Sequence, residues 1–389
     1  MKSIASMSSL RPSRWCARVA PLVIAIALSG CSMWGGSKAV APDLGENIPV
    51  LGVRQAWSAK VGASSGAALD VRVQDYRVTI ASSEGSLVAI DARTGGDLWR
   101  ASLGAPLSAG VGGDARYTAV VSRSNALIVL DQGKEAWRQS LASQVFTAPL
   151  VAGGRVFVLA ADRSVSAFDL NTGRKLWNQA RSGGEALVLR QGGVIAAVGD
   201  TLVVGMSGRL VGLNPDTGTV RWEAPLASPR GINDVERLVE LVGRVSRVGD
   251  SVCVRAFQAS VGCVNVVRDR ANVVWSQQAS GSEGVHGDSE AIYGAESNGH
   301  VIAWRRDDGT RLWSSDRLRL RKLTAPLVLG RSVVLGDESG WVHFLSRADG
   351  APLNRVMTDS SGMVTAPVVA ADTLVVVTRS GGVYGFRPD

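Results

Sequence analysis

Side chains able to act as nucleophiles, metal ligands or proton carriers near neutral pH are few in this chain. They amount to four cysteines, Cys16, Cys31, Cys253 and Cys263, and three histidines, His286, His300 and His343. The histidines fall in what read as different units of a repeat, and none has a Cys or His at ligand spacing, so no metal site is expected. Cys253 and Cys263 lie in SVCVRAF and VGCVNVV, which read as adjacent strands joined by a short turn. A disulfide in an oxidising compartment and a pair of buried free thiols both fit that placement, because bonding depends on Cα separation and side-chain direction. Asp91, Asp169 and Asp307 recur, but each stands just before the glycine of a turn, and a turn role accounts for the recurrence. No serine sits in a nucleophile elbow and no glycine loop could cradle a phosphate. The expectation is a protein without a catalytic site and without a cofactor.

The elements that carry these residues follow from one recurring stretch, LVAIDARTGGDLW from Leu87 to Trp99. Its copies are VSAFDLNTGRKLW ending at Trp177, LVGLNPDTGTVRW at Trp222 and VIAWRRDDGTRLW at Trp313, with weaker ones at Trp137 and Trp275. The apolar first half is a strand, Asp, Thr and Gly make the turn, and a second strand carries the Trp. A lone hairpin is marginal in water, so each copy needs neighbours. Trp57, Trp99, Trp137, Trp177, Trp222, Trp275 and Trp313 are spaced by 42, 38, 40, 45, 53 and 38 residues. That period matches the roughly 40 to 45 residues of a four-stranded propeller blade. The intervening runs, such as RVFVLA, TLVVG and TLVVVT, have strand rather than helix patterning.

After Trp313 the turn at Asp349 and Gly350 leads to Asn354 in the Trp position, and the last unit stops at Phe386, one strand short. Trp57, conversely, is a closing Trp with no blade of its own. The expected fold is therefore all-β, an eight-bladed β-propeller of four-stranded antiparallel blades, closed by an N-terminal strand that completes the last blade. Closure of this kind also protects sheet edges. The chain of 389 residues with 45 glycines is compatible with one such domain over residues 51–389.

Residues 1–30 form a targeting segment. Lys2, Arg11, Arg14 and Arg18 precede an apolar run, Val19 to Leu28, too short for the ~20 residues a membrane span needs. The following Leu28, Ser29, Gly30 and Cys31 resemble the lipobox of bacterial lipoproteins. That resemblance implies removal of residues 1–30 as a signal peptide, lipidation of Cys31, and, with Ser32 next, sorting to the outer membrane with the protein on its periplasmic side. Residues 31–50, rich in Gly, Ser, Ala and Pro, then form a flexible tether, and the lipid is the only membrane attachment. The net charge of +8 falls on loss of the signal segment to 38 basic against 34 acidic residues, which does not argue for nucleic acid. Arg317, Arg319, Arg321 and Lys322 are the one basic concentration, read either as a solvated loop between blades or as a contact for anionic lipid or an acidic partner.

The repeat resembles the tryptophan-docking repeats of quinoprotein dehydrogenases, which are also eight-bladed. That family uses a calcium-bound quinone beside a vicinal disulfide on a longer chain. Here no two cysteines are adjacent and the pocket-building inserts are lacking, so an enzyme of that type is the alternative. Departures from the repeat are more informative. Three units open their inner strand with Thr-Ala-Pro, at Thr147, Thr324 and Thr365. The fourth has EALVLRQGGV at 185–194 instead, and the fifth carries the longest insertion, 228–243. Loops on a rigid scaffold are where binding residues concentrate, and Leu187, Val188 and Leu189 beside Arg190 combine apolar contact with a charged fork.

Together the lipobox, the tether and eight Trp-closed units resemble the BamB family, the propeller lipoproteins of the outer-membrane β-barrel assembly machinery (the Bam complex). The sharpest local matches are Leu187 to Arg190, Asp234 to Leu238 with Glu240, and Leu335 to Gly350. The resemblance implies a non-catalytic scaffold that binds the periplasmic domains of the central barrel-inserting subunit and assists insertion of outer-membrane proteins. It assigns that contact to Leu187, Leu189, Arg190 and Glu240; a second acidic position of the family is Val242 here. Unfolded β-rich clients, captured by pairing with an exposed blade strand, are a competing partner class.

Overall fold

Each blade forms because two neighbouring hairpins of the repeat fuse into one sheet, its inner strands apolar on both faces and its outermost strand half exposed. A computed structural model describes residues 40–389 apart from 64–68, 181–188, 229–237 and 268. Its compact unit spans Ala41–Asp389. Among the described residues there is no helix, and 32 strands form eight four-stranded antiparallel sheets. Strand β1 (Val53–Lys60) precedes the first blade, and β2 to β5 (Arg72–Gln74, Arg77–Ala81, Ser86–Asp91, Asp97–Ser102) make that blade. Blades two to seven follow in order from β6 (Leu107–Gly113) to β29 (Pro352–Met357). The last blade has β30 (Val368–Ala370), β31 (Thr373–Val377) and β32 (Gly382–Pro388), and β1 supplies its outer strand. Val53 pairs with Pro388 and Lys60 with Gly382, so the chain ends interlock as expected.

The core is divided among the seams between blades. Val78, Ile80 and Ile90 of the first blade pack with Val375, Val377 and Val383 of the last, which closes the ring. Corresponding clusters fill the other seams. The closing tryptophans key one blade to the next. Trp137 Nε1 donates to the Leu170 carbonyl at 2.8 Å, and its ring lies on Gly173, where an added Cβ would come within 2.7 Å. Gly173 has φ +70°, so both the turn and the ring require glycine. Trp57, Trp177, Trp275 and Trp313 donate in the same way to Ala92, Pro215, Arg306 and Arg347. Asn354, in the Trp position of the seventh blade, donates instead to the Leu51 carbonyl at 2.7 Å. The next blade there is the one completed by β1, and a short amide reaches a carbonyl at the chain junction.

Pro42 to Val50, which the sequence assigns to the tether, lie along the outer edge of the seventh blade. Arg321, Arg355 and Arg331 donate to the carbonyls of Pro42, Leu44 and Val50 at 3.1, 2.9 and 2.8 Å. Leu44 packs against the core between the sixth and seventh blades. Cys253 and Cys263 face each other across β19 (Ser251–Ala256) and β20 (Ser260–Val267) and are joined as a disulfide. One expectation needs correction. His286 and His300 belong to the same unit, the sixth blade: His286 opens its inner strand and His300 stands in the turn before its third strand, both between Trp275 and Trp313.

Candidate functional site

Alternation of strand direction puts two sets of loops on one face of the ring: those leading from each outer strand to the next inner strand, and the turn between the two middle strands of each blade. Both departures from the repeat are loops of the first kind, so both open on this face. Leu189 to Val194 precede β14 (Ile195–Val198) of the fourth blade, and Leu238 to Glu240 precede β18 (Leu241–Val248) of the fifth. Leu187 lies outside the described residues, as do residues 234–237 of the acidic stretch and Cys31.

Hydrogen bonds from backbone and side chains stitch the first loop to its neighbours. Gly193 N–H donates to Thr147 Oγ1 at 2.9 Å, Gly243 N–H to the Gly192 carbonyl at 3.0 Å, and Gln191 Nε2 to the Ser282 carbonyl at 2.8 Å. The segment thus binds the third, fifth and sixth blades at once. Gly243 is required by the close approach, since a Cβ there would sit 2.9 Å from the Gly193 carbonyl oxygen. The threonine of the Thr-Ala-Pro triplet in the third unit thereby serves the fourth.

The fold brings Leu189 and Glu240 into one shallow depression of about 50 Å³, with Phe146, Leu159 and Leu241 as its apolar floor. Glu240 is already engaged. Its Oε1 accepts from Arg163 Nη2 at 2.6 Å and from Nε at 3.0 Å, and both side chains are largely covered. Arg190 is exposed and lines the neighbouring central cavity of about 740 Å³. The arrangement is an apolar notch, a fixed ion pair lining it and an exposed guanidinium in the adjoining cavity, which suits a protein contact.

Charged groups also converge in that cavity, among them Asp70, Arg72, Arg244, Glu283, Lys322 and Arg379. Asp70 meets water inside the cavity yet is surrounded by protein, and this restricted solvation pushes its carboxyl up against the opposing pull of Arg244. Burial likewise raises Glu283, opposed by Lys322 and Arg255. No group of three or more His, Cys, Asp or Glu among the described residues could hold a metal ion.

Arg163 was missed in the sequence, although a signal was there. The turn between middle strands uses a left-handed residue, filled by Gly85, Asn125, Gly299, Gly340 and Gly381 in five blades. The third blade puts Arg163 there, at φ +64°. A non-glycine residue in this region costs of order 1 kcal/mol, a cost also met at Ser207 and Gln258 in the fourth and fifth blades, and in the third it places an arginine beside Glu240.

Comparison with known proteins decides what kind of propeller this is. The model of the family described as "Outer membrane protein assembly factor BamB" matches residues 83–315. The protein of that name from Burkholderia pseudomallei is 38% identical over 96% of this chain and 98% of its own. The chain belongs to the BamB family. The Bordetella pertussis member is 33% identical, covering 98% of this chain and 99% of its own. Among solved structures, BamB from Moraxella catarrhalis superposes with a TM-score of 0.78 at 22% identity, over 86% of this chain and 99% of that one. A quinohemoprotein alcohol dehydrogenase from Comamonas testosteroni gives 0.67 at 16% identity, over 87% of this chain and 76% of the enzyme. At that identity the likeness is one of fold. BamB relatives are non-catalytic assembly factors, and an outer-membrane-associated, periplasmic location follows from membership.

Proposed function

We propose that this chain is the propeller subunit of the Bam complex, tied to the outer membrane by lipid on Cys31, and that it assists barrel insertion by holding the periplasmic domains of the central barrel-inserting subunit. The observation that carries this reading is the convergence, on one face, of Leu189, Arg190 and Glu240, from two loops 50 residues apart. An apolar residue of the partner fills the notch at Leu189, and Arg190 meets its carboxylate. Glu240, held by Arg163, fixes the wall of the notch and offers its remaining acceptor capacity at the rim. The family resemblance assigns Leu187 to the same contact.

Arg190→Glu, and Leu187→Ala with Leu189→Ala, are expected to lower recovery of the barrel-inserting subunit in an envelope pull-down at least tenfold, with unchanged melting curves. Unchanged recovery rejects the assignment. Adducts with many unfolded outer-membrane proteins and no dominant partner, after cross-linking from position 190, would favour strand augmentation instead.

A further inference from the structure

The course of Pro42 to Leu51 says which way the ring faces. From β1 backwards, Val50 N–H donates to the Leu353 carbonyl at 2.8 Å, close to the turn that opens β29. Arg355 then holds the Leu44 carbonyl and also that of Gly45. Pro42 is held by Arg321, in the loop leading from β25 (Arg311–Ser315) to β26 (Leu327–Leu329). That loop belongs to the same face as Leu189, Arg190 and Glu240. The chain therefore leaves the ring towards its N-terminus on the candidate partner face, at the sixth and seventh blades. Only ten residues, 32–41, separate this point from Cys31. Fully extended they reach at most about 36 Å.

The loop at the exit has the composition of a headgroup contact. Arg317 and Arg319 are exposed, and Leu320 between the bases is 46% exposed. Leu318 is buried in the core and anchors the loop, while Arg321 turns inward to Pro42 and Asp337. Two solvated guanidiniums stand just before an exposed leucine, beside the point where a lipid-bearing segment departs. This matches an anionic membrane surface, which attracts basic side chains within a Debye length and accepts an apolar residue at its boundary.

We propose that the loop Asp316–Lys322 docks on anionic phospholipid headgroups through Arg317, Arg319 and Leu320, so that the partner face of the ring is turned to the membrane. The inference rests on acylation of Cys31 as proposed above.

The test is co-sedimentation of the unacylated chain, residues 32–389, with vesicles of phosphatidylglycerol and phosphatidylcholine, and with phosphatidylcholine alone. Binding is expected on the anionic vesicles only and is expected to weaken with salt. Arg317→Glu with Arg319→Glu should lower the partition coefficient at least about tenfold. The same charge change on the opposite face, Arg174→Glu with Arg311→Glu, should leave it unchanged, and neither pair should alter the melting temperature. Equal binding to neutral vesicles, indifference to the first pair, or equal loss with the second overturns the proposal. So does loss of partner capture by the first pair with vesicle binding intact, which would make the loop a protein contact. Because Arg190→Glu is read by partner capture and this pair by vesicles, failure of either reading is distinguishable from failure of the other.

Discussion

The seam between the second and third blades and the seam between the fourth and fifth are built from the same repeat but do different work. At the first, Trp137 rests on Gly173 and donates to Leu170. At the second, Trp222 is buried, its ring lies against Gly212 of its own blade, and its Nε1 has no acceptor among the described residues. No glycine stands in the turn of the fifth blade for it to cover, since VRDRA replaces the usual Asp-Thr-Gly. Instead β17 (Val220–Pro225) packs directly on β21 (Arg270–Gln278), with Arg221 reaching towards Asp269 at 3.9 Å. Where the repeat is obeyed, a tryptophan on a turn glycine closes the seam; where it is broken, direct packing of strand on strand closes it. The same sector carries Leu189, Arg190 and Glu240.

The strongest way to break this comparison is to remove a docking ring. Trp137→Ala should cost roughly 3 to 5 kcal/mol, the range for truncating a large aromatic in a packed site, measured by denaturant unfolding. Trp→Phe sharpens it. At 137 the substitution forfeits a hydrogen bond, whereas at 222 it removes a buried donor that has no acceptor, so the cost at 137 should exceed that at 222 by about 1 kcal/mol. Equal costs would mean that the two seams are held alike.

A second contrast lies in pH. His286, on β22 (His286–Gly287) of the sixth blade, accepts the Val328 N–H through Nδ1 at 3.1 Å, and burial, aided by Arg244, lowers it to about 4. A histidine depressed in the fold is neutral there, and the unfolded chain binds the proton first. Its contribution is present above about 6.5 and is lost as pH falls from there towards 4, by roughly 2 to 3 kcal/mol. Melting temperature should drop over that window and His286→Asn should flatten the drop. A decline centred below pH 4 would assign it to carboxylates.

A smaller effect is expected at the notch. Glu240→Ala removes the carboxylate that accepts from Arg163 Nη2 and Nε and should cost about 1 to 3 kcal/mol. Arg163→Gly restores the turn residue of the regular blades, relieves the left-handed strain and loses the pair, so its net cost should be smaller. If it destabilises more than Glu240→Ala, the arginine is structural rather than kept for the notch.

The ring was legible in the sequence because closure is a repeated, local signal: glycine, turn and Trp at a fixed spacing state both the blade and its seam. Even Asn354 was placed correctly, although its partner, the Leu51 carbonyl, is visible only once the chain ends meet. The site was less legible. Its loops were found as departures from the repeat, but the Arg163 to Glu240 pair joins positions 77 residues apart, and no periodicity reports such a distance. The course of Pro42 to Val50 was hidden for another reason. A segment without strand patterning reads as free chain, while here its carbonyls are held by arginines of a distant blade, and only Leu44 enters the core.

Hydrogen exchange on the chain with and without the periplasmic domains of the barrel-inserting subunit tests most directly whether the broken sector is the one that recognises. Protection is expected around residues 189–194 and 238–243, with the outer strands of the second and third blades unchanged. Protection spread evenly over the outer strands of all blades, or confined to the regular sector, would contradict the account.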